Sequence, residues 1–318
     1  MRYSDAVQSQ ETSTTTPTFL KSMGTVHYLL LGIVSGAIGL LPWLVSGLRL
    51  PLQDLWATEA TLQSMPIVLL PFSQYALTLI VAVIITGSVV AGIIARLTRL
   101  FRPRFALLAI VVGVLLVQFF ATVQTALAAS GGLRVSLVAS AYLAALVAGT
   151  MVCILIGLSV LLLVALARAP GVVFALGIAA VAVGSWVNGL MPSYDPDTSA
   201  SASAAIRSAR WVPAVIVGLA LAWSGFGTLG RIAGAIGSLL GLWIGPTAFT
   251  AITTAGGSRV FARDPLEMAR FGTQVFVSAL GSRGGGLSLL LPALMIGVIG
   301  FAIRLMIRKR RSAVSGTV

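Results

Sequence analysis

Long apolar runs recur along this chain, and all of its carboxylates fall outside them. The eight Asp and Glu residues of the 318-residue sequence are Asp5, Glu11, Asp54, Glu59, Asp195, Asp197, Asp264 and Glu267. A run of about 20 apolar residues crosses roughly 30 Å of hydrocarbon at ~1.5 Å per residue. Hydrophobic residues make up 58% of the chain and charged ones 9%, with mean hydropathy +1.02. A soluble domain carries roughly 25% charged residues, so that class is excluded. The expected fold is therefore an all-α, polytopic helix bundle. Eight spans are read at 27–47, 66–95, 105–127, 135–167, 171–190, 211–228, 230–251 and 287–306.

The net charge of +13 would suit a nucleic-acid binder if it were spread over one surface. Instead it is clustered at the ends of apolar runs, as in "RLTRLFRPR" (96–104) and "RKRR" (308–311). That is the distribution of topology signals, and no nucleic-acid partner is expected. With both termini in the cytoplasm, 13 of the 21 basic residues lie inside, and six of the eight acids lie outside. The polar stretch 1–25 reads as a disordered cytoplasmic tail, and 307–318 as a basic one. A cleaved signal peptide is not expected, because a long polar tail precedes the first apolar run. Residues 26–190 would form a five-span part and 211–306 a three-span part. The Ser/Ala-rich stretch 191–210 between them is read as a flexible outside linker. A multi-pass protein of the plasma membrane is the expected setting.

The chain offers little for catalysis. His27, the only histidine, opens the first span, and Cys153, the only cysteine, lies within the fourth. No HExxH, GxSxG or phosphate-loop motif occurs, so no metal, cofactor or catalytic set is expected. In one respect the chain resembles membrane glycosyltransferases that use lipid-linked sugars: it has an acidic residue in the first outside loop, Asp54. That makes an outer-face enzyme the third reading.

The polar residues inside spans are neutral. Gln118, Gln124, Asn188 and Ser224 need partners away from lipid, which means either helix–helix hydrogen bonds or contact with a substrate. Small residues recur at helical spacing. Gly32 and Gly36 mark the first span; Gly230 and Gly234, with Gly237, Gly241 and Gly245, mark the seventh. Such ridges let backbones approach closely. The two ridges on the seventh span predict a central helix contacted on two sides. "GAIGLLPWLVSG" (36–47) and "GAIGSLLGLWIG" (234–245) agree at seven of twelve positions, a faint repeat of the kind transporters carry.

An amphipathic outside segment follows each of these two stretches. In 51–63, Leu52, Leu55, Trp56, Glu59 and Leu62 fall at helical steps. In 264–281, Asp264 is a favourable N-cap and Pro265 suits the first turn. Met268, Phe271, Gly272, Val275 and Phe276 share one face there, opposite Glu267, Arg270, Gln274 and Ser278. At about 16 residues this helix is too short to span, so it should serve as an interfacial linker, an outside lid or a docking helix. Two functional readings follow. One is a permease-like protein moving a neutral or amphipathic solute, a lipid-linked one included, without an intramembrane carboxylate relay. The other is a non-catalytic accessory subunit of a cell-envelope or cell-division complex. Expected partners are the lipid bilayer and either another membrane protein or a second copy.

Overall fold

The computed structural model describes residues 24–53, 55–59, 61, 63–100, 103–191, 204, 207–258, 264–281 and 285–315. Most of the N-terminal tail, Asp54, Leu62, most of the Ser/Ala-rich linker, Arg263 and Gly284 lie outside the described residues. The described chain is helical: α1 (Thr25–Val45), α2 (Leu77–Leu97), α3 (Ala106–Gly132), α4 (Leu137–Leu166), α5 (Ala169–Gly189), α6 (Val212–Ser224), α7 (Leu229–Gly257), α8 (Pro265–Leu280) and α9 (Gly285–Ser315). It contains no strand beyond two isolated bridges, Arg49 to Ile67 and Trp56 to Leu133. The protein is an all-α, multi-pass membrane bundle. Seven of the described helices are long and apolar enough to cross.

The departures from the expected spans have local causes. The sixth expected span yields a helix of only 13 residues, about 20 Å long. It ends where Gly225 takes φ 68, a conformation that suits glycine, and so leaves the right-handed helix. The second expected span begins at 66, but α2 starts at Leu77. Pro66 and Pro71 push the residues before them into extended backbone, so a helix cannot run through either position. Among the described residues of 51–63 there is likewise no helix, despite the helical spacing of the apolar positions.

Glycine decides how closely the first helices meet. α1 and α3 run parallel, and a β-carbon on Gly32 would stand 2.3 Å from the Ile110 carbonyl oxygen. α1 and α2 cross antiparallel, where one on Gly39 would stand 2.3 Å from the Val83 oxygen. Side chains larger than hydrogen are excluded at both contacts. α2 is the axis of the bundle: 61% of its most apolar stretch is buried, against 28% for α7 and 22% for α9.

That ordering corrects the placing of the seventh span as central. Both glycine ridges of α7 face one partner, α5, which runs parallel to it. Gly230 and Gly234 meet Pro170, Gly237 meets Phe174, Gly241 meets Gly177 and Gly245 meets Val181. Positions 234, 237, 241 and 245 step by three and four, so they form one stripe and not two opposed ridges. α6 and α9 form a second parallel pair, with Gly218 on Ile296, Gly297 on Leu221 and Gly225 on Phe301.

Candidate functional site

The polar side chains of the spans sit in two different settings. Gln118 of α3 is buried and donates its Nε2 to the Ile84 carbonyl of α2 at 3.0 Å and to Ser88 Oγ at 3.1 Å. Its Oε1 and the Thr86 hydroxyl are buried without a partner. Gln124, less than two helical turns further along α3, serves a different structure. It accepts from the Leu69 N–H at 3.0 Å and donates to the Ile67 carbonyl at 2.9 Å. Thr125 Oγ1 beside it accepts from the Leu70 N–H at 3.0 Å.

These bonds hold an extended cap, formed by the described residues of 48–76, which the sequence pattern did not reveal. Gly47 (φ 95) and Leu48 (φ 60) reverse the chain off the end of α1. The Leu50 N–H then donates to the Pro66 carbonyl and the Val68 N–H to the Leu48 carbonyl. The Trp43 indole donates to the Val68 carbonyl at 2.8 Å. Gln53 donates to the Phe72 carbonyl at 2.8 Å and accepts from the Tyr142 hydroxyl at 2.8 Å. Leu50, Met65, Val68, Leu70 and Phe72 are buried beneath. Non-helical backbone is tolerated beside hydrocarbon only where protein satisfies it, and here side chains of α1, α3 and α4 do so. The prolines at 51, 66 and 71 were the available signal, since none can continue a helix interior.

The remaining substrate-lining candidates stand apart. Asn188 is exposed near the end of α5. Ser224 is buried at the end of α6, with its hydroxyl unpartnered. The four residues therefore do not line one cavity. Among the described residues no three His, Cys, Asp or Glu side chains converge.

Helix α8 supplies the most distinctive surface. Asp264 caps it, its Oδ1 accepting from the Leu266 and Glu267 N–H groups at 3.0 and 3.1 Å. The helix folds back antiparallel along the second half of α7. Gly272 packs against Ala255, and the Trp243 indole donates to the Leu280 carbonyl at 3.2 Å. Phe271, Val275 and Phe276 are half-buried on that side. The opposite side exposes Leu266, Ala269, Thr273, Gln274 and Val277, with Arg270 paired to Glu267 at 2.6 Å. A shallow open depression follows this face. Comparison with protein-family models, curated proteins and solved structures returns no match.

Proposed function

We propose that this multi-pass membrane protein is a non-catalytic accessory component of a larger membrane assembly, of the kind that serves the cell envelope or cell division. It acts by holding another membrane protein. The observation that carries this reading is α8, a capped helix with one face braced on α7 and an apolar-polar face left open. The engagement of Gln118 and Gln124 by backbone groups supports it, because those amides are then structural. The test is capture of the full chain in mild detergent. A partner retained by the wild type and lost from Leu266→Glu/Val277→Arg, with thermal unfolding unchanged, supports the reading. Equal retention by the variant counts against it, and a second copy of the chain as the retained partner makes the assembly a homo-oligomer.

A permease-like role is the second reading, favoured by the unpartnered Gln118 Oε1 and Thr86 Oγ1 within the α2–α3 packing. Buried polar atoms without partners can mark a solvated path. Solute flux into vesicles that disappears in Gln118→Leu while the fold persists would move this reading ahead of the first.

A further inference from the structure

An arginine cluster at the basic end of the bundle has no part in the assembly role. Arg96, near the end of α2, donates Nη1 to the Val164 and Ala167 carbonyls at 2.9 and 3.0 Å, closing the end of α4. Its guanidinium carbon lies 5.3 Å from the ring centroid of Trp223 in α6. The Trp223 carbonyl accepts in turn from Arg304 of α9. Arg168 follows Ala167 and forms the N-cap position of α5, with no side-chain cap on that helix. Pro170, two residues on, packs against Gly230 and Gly234 of α7, which flank Arg231. Arg96 and Arg304 thus meet at Trp223, while Arg168 and Arg231 stand on the adjoining α4–α5 turn and the first turn of α7, at the same end of the bundle.

Two of the four carry no structural duty. Arg168 is exposed and Arg231 half-buried, and among the described residues neither side chain has an acceptor. No Asp or Glu occurs in 60–194, 198–263 or 268–318, so sequence-near carboxylates do not neutralise the cluster. Beside it, Leu219, Leu229, Ile232 and Ile236 present apolar side chains that are 59, 86, 40 and 54% exposed. Paired with the positive charge, that wall distinguishes a lipid from a soluble anion.

We propose that this junction binds the phosphate headgroup of an anionic phospholipid, with the acyl chains lying along the exposed apolar side of α6 and α7. Arginine suits the task because its planar donors reach phosphate oxygens in pairs while its charge persists at any physiological pH. The uncapped N–H groups at the start of α5 add a favourable partial charge. The positive-inside rule places this end at the cytoplasmic leaflet, where basic pockets between helices recognise such headgroups.

The test uses the full chain in nanodiscs of phosphatidylcholine with or without phosphatidylglycerol, read by thermal unfolding and by lipid retained in native mass spectrometry. Arg168→Gln/Arg231→Gln is the informative variant, since neither side chain has an acceptor among the described residues. Phosphatidylglycerol should raise the unfolding temperature of the wild type. The variant should retain that lipid roughly twenty-five-fold less, at about one factor of five per arginine, with unchanged stability in phosphatidylcholine. The proposal fails if phosphatidylglycerol acts no differently from phosphatidylcholine, or if the variant keeps the full effect. It also fails if Arg308→Gln/Lys309→Gln abolishes the effect alone, which assigns it to the C-terminal tail. Inorganic phosphate matching the phosphatidylglycerol shift would assign a soluble anion instead and equally overturn it.

Discussion

The first five helices and the last four solve the same problem in different ways. In α1–α5 the helices meet around a buried axis, α2, and polar side chains of the spans bond to backbone on neighbouring elements. Among α6–α9, α6 and α9 form a parallel pair along small residues, α7 lays its glycine stripe on α5, α8 folds back on α7, and much of α7 and α9 faces outward. A glycine stripe gives close van der Waals contact but little directional constraint. Side-chain-to-backbone bonds, such as those from Gln124 and Gln53, fix a unique arrangement. α1–α5 should therefore open less readily than α6–α9, which have more surface left to offer a partner.

The largest expected effect comes from the closest helix contacts. Gly39→Leu forces a side chain into the Val83 carbonyl and should prevent a monodisperse folded protein from forming. Gly234→Leu meets the Pro170 oxygen at 2.7 Å from its β-carbon. It should loosen α7–α9 while amide exchange in α2 stays slow. If Gly234→Leu exposes α2 as fully as Gly39→Leu does, the division into a rigid and a looser part is wrong.

Next comes the cap. Gln124→Leu leaves the Leu69 N–H and the Ile67 carbonyl without partners at a cost of about 1–3 kcal/mol. Hydrogen exchange and proteolysis within 63–76 should rise, with α7–α9 unaffected. Unchanged protection there would mean that Thr125 and Trp43 hold the cap alone.

Smaller effects test α8. Trp243→Phe removes the bond to Leu280 and should weaken the docking of α8 by about 0.5–1.5 kcal/mol, seen as faster exchange over 265–280. Asp264→Ala removes the cap at about 1 kcal/mol, confined to the first turn. Glu267→Gln breaks an exposed ion pair, and thermal unfolding should move by less than the scatter of replicate scans.

Legibility from sequence followed the range of the interaction. The cap at Asp264 and the two faces of α8 are set by residues within a few positions of one another, so spacing revealed them. The apolar spans were legible because the bilayer demands length and composition, although α6 came out short where Gly225 turns the chain. The cap over 48–76 was not legible. Its hydrogen bonds join residues as far apart as Gln53 and Tyr142, and no periodicity encodes such pairings. The glycine stripe of α7 was visible, yet its direction was misread because nothing local says which neighbour a small-residue face will meet.

The sequence by itself determined that this chain is a multi-pass helical membrane protein, because hydrocarbon admits only long apolar segments that satisfy their own backbone. It also determined the capped amphipathic helix at 264–281, because capping and facing act over one or two turns. Only the tertiary structure decided that α2 is the axis, that α7 and α9 lie at the rim, and that Gln124 holds a buried extended segment. Only it brought Arg96 and Arg304, 208 positions apart, together at Trp223. Each of these depends on contacts between distant residues, and in an apolar chain many pairings are nearly equal until close packing and hydrogen bonding select one.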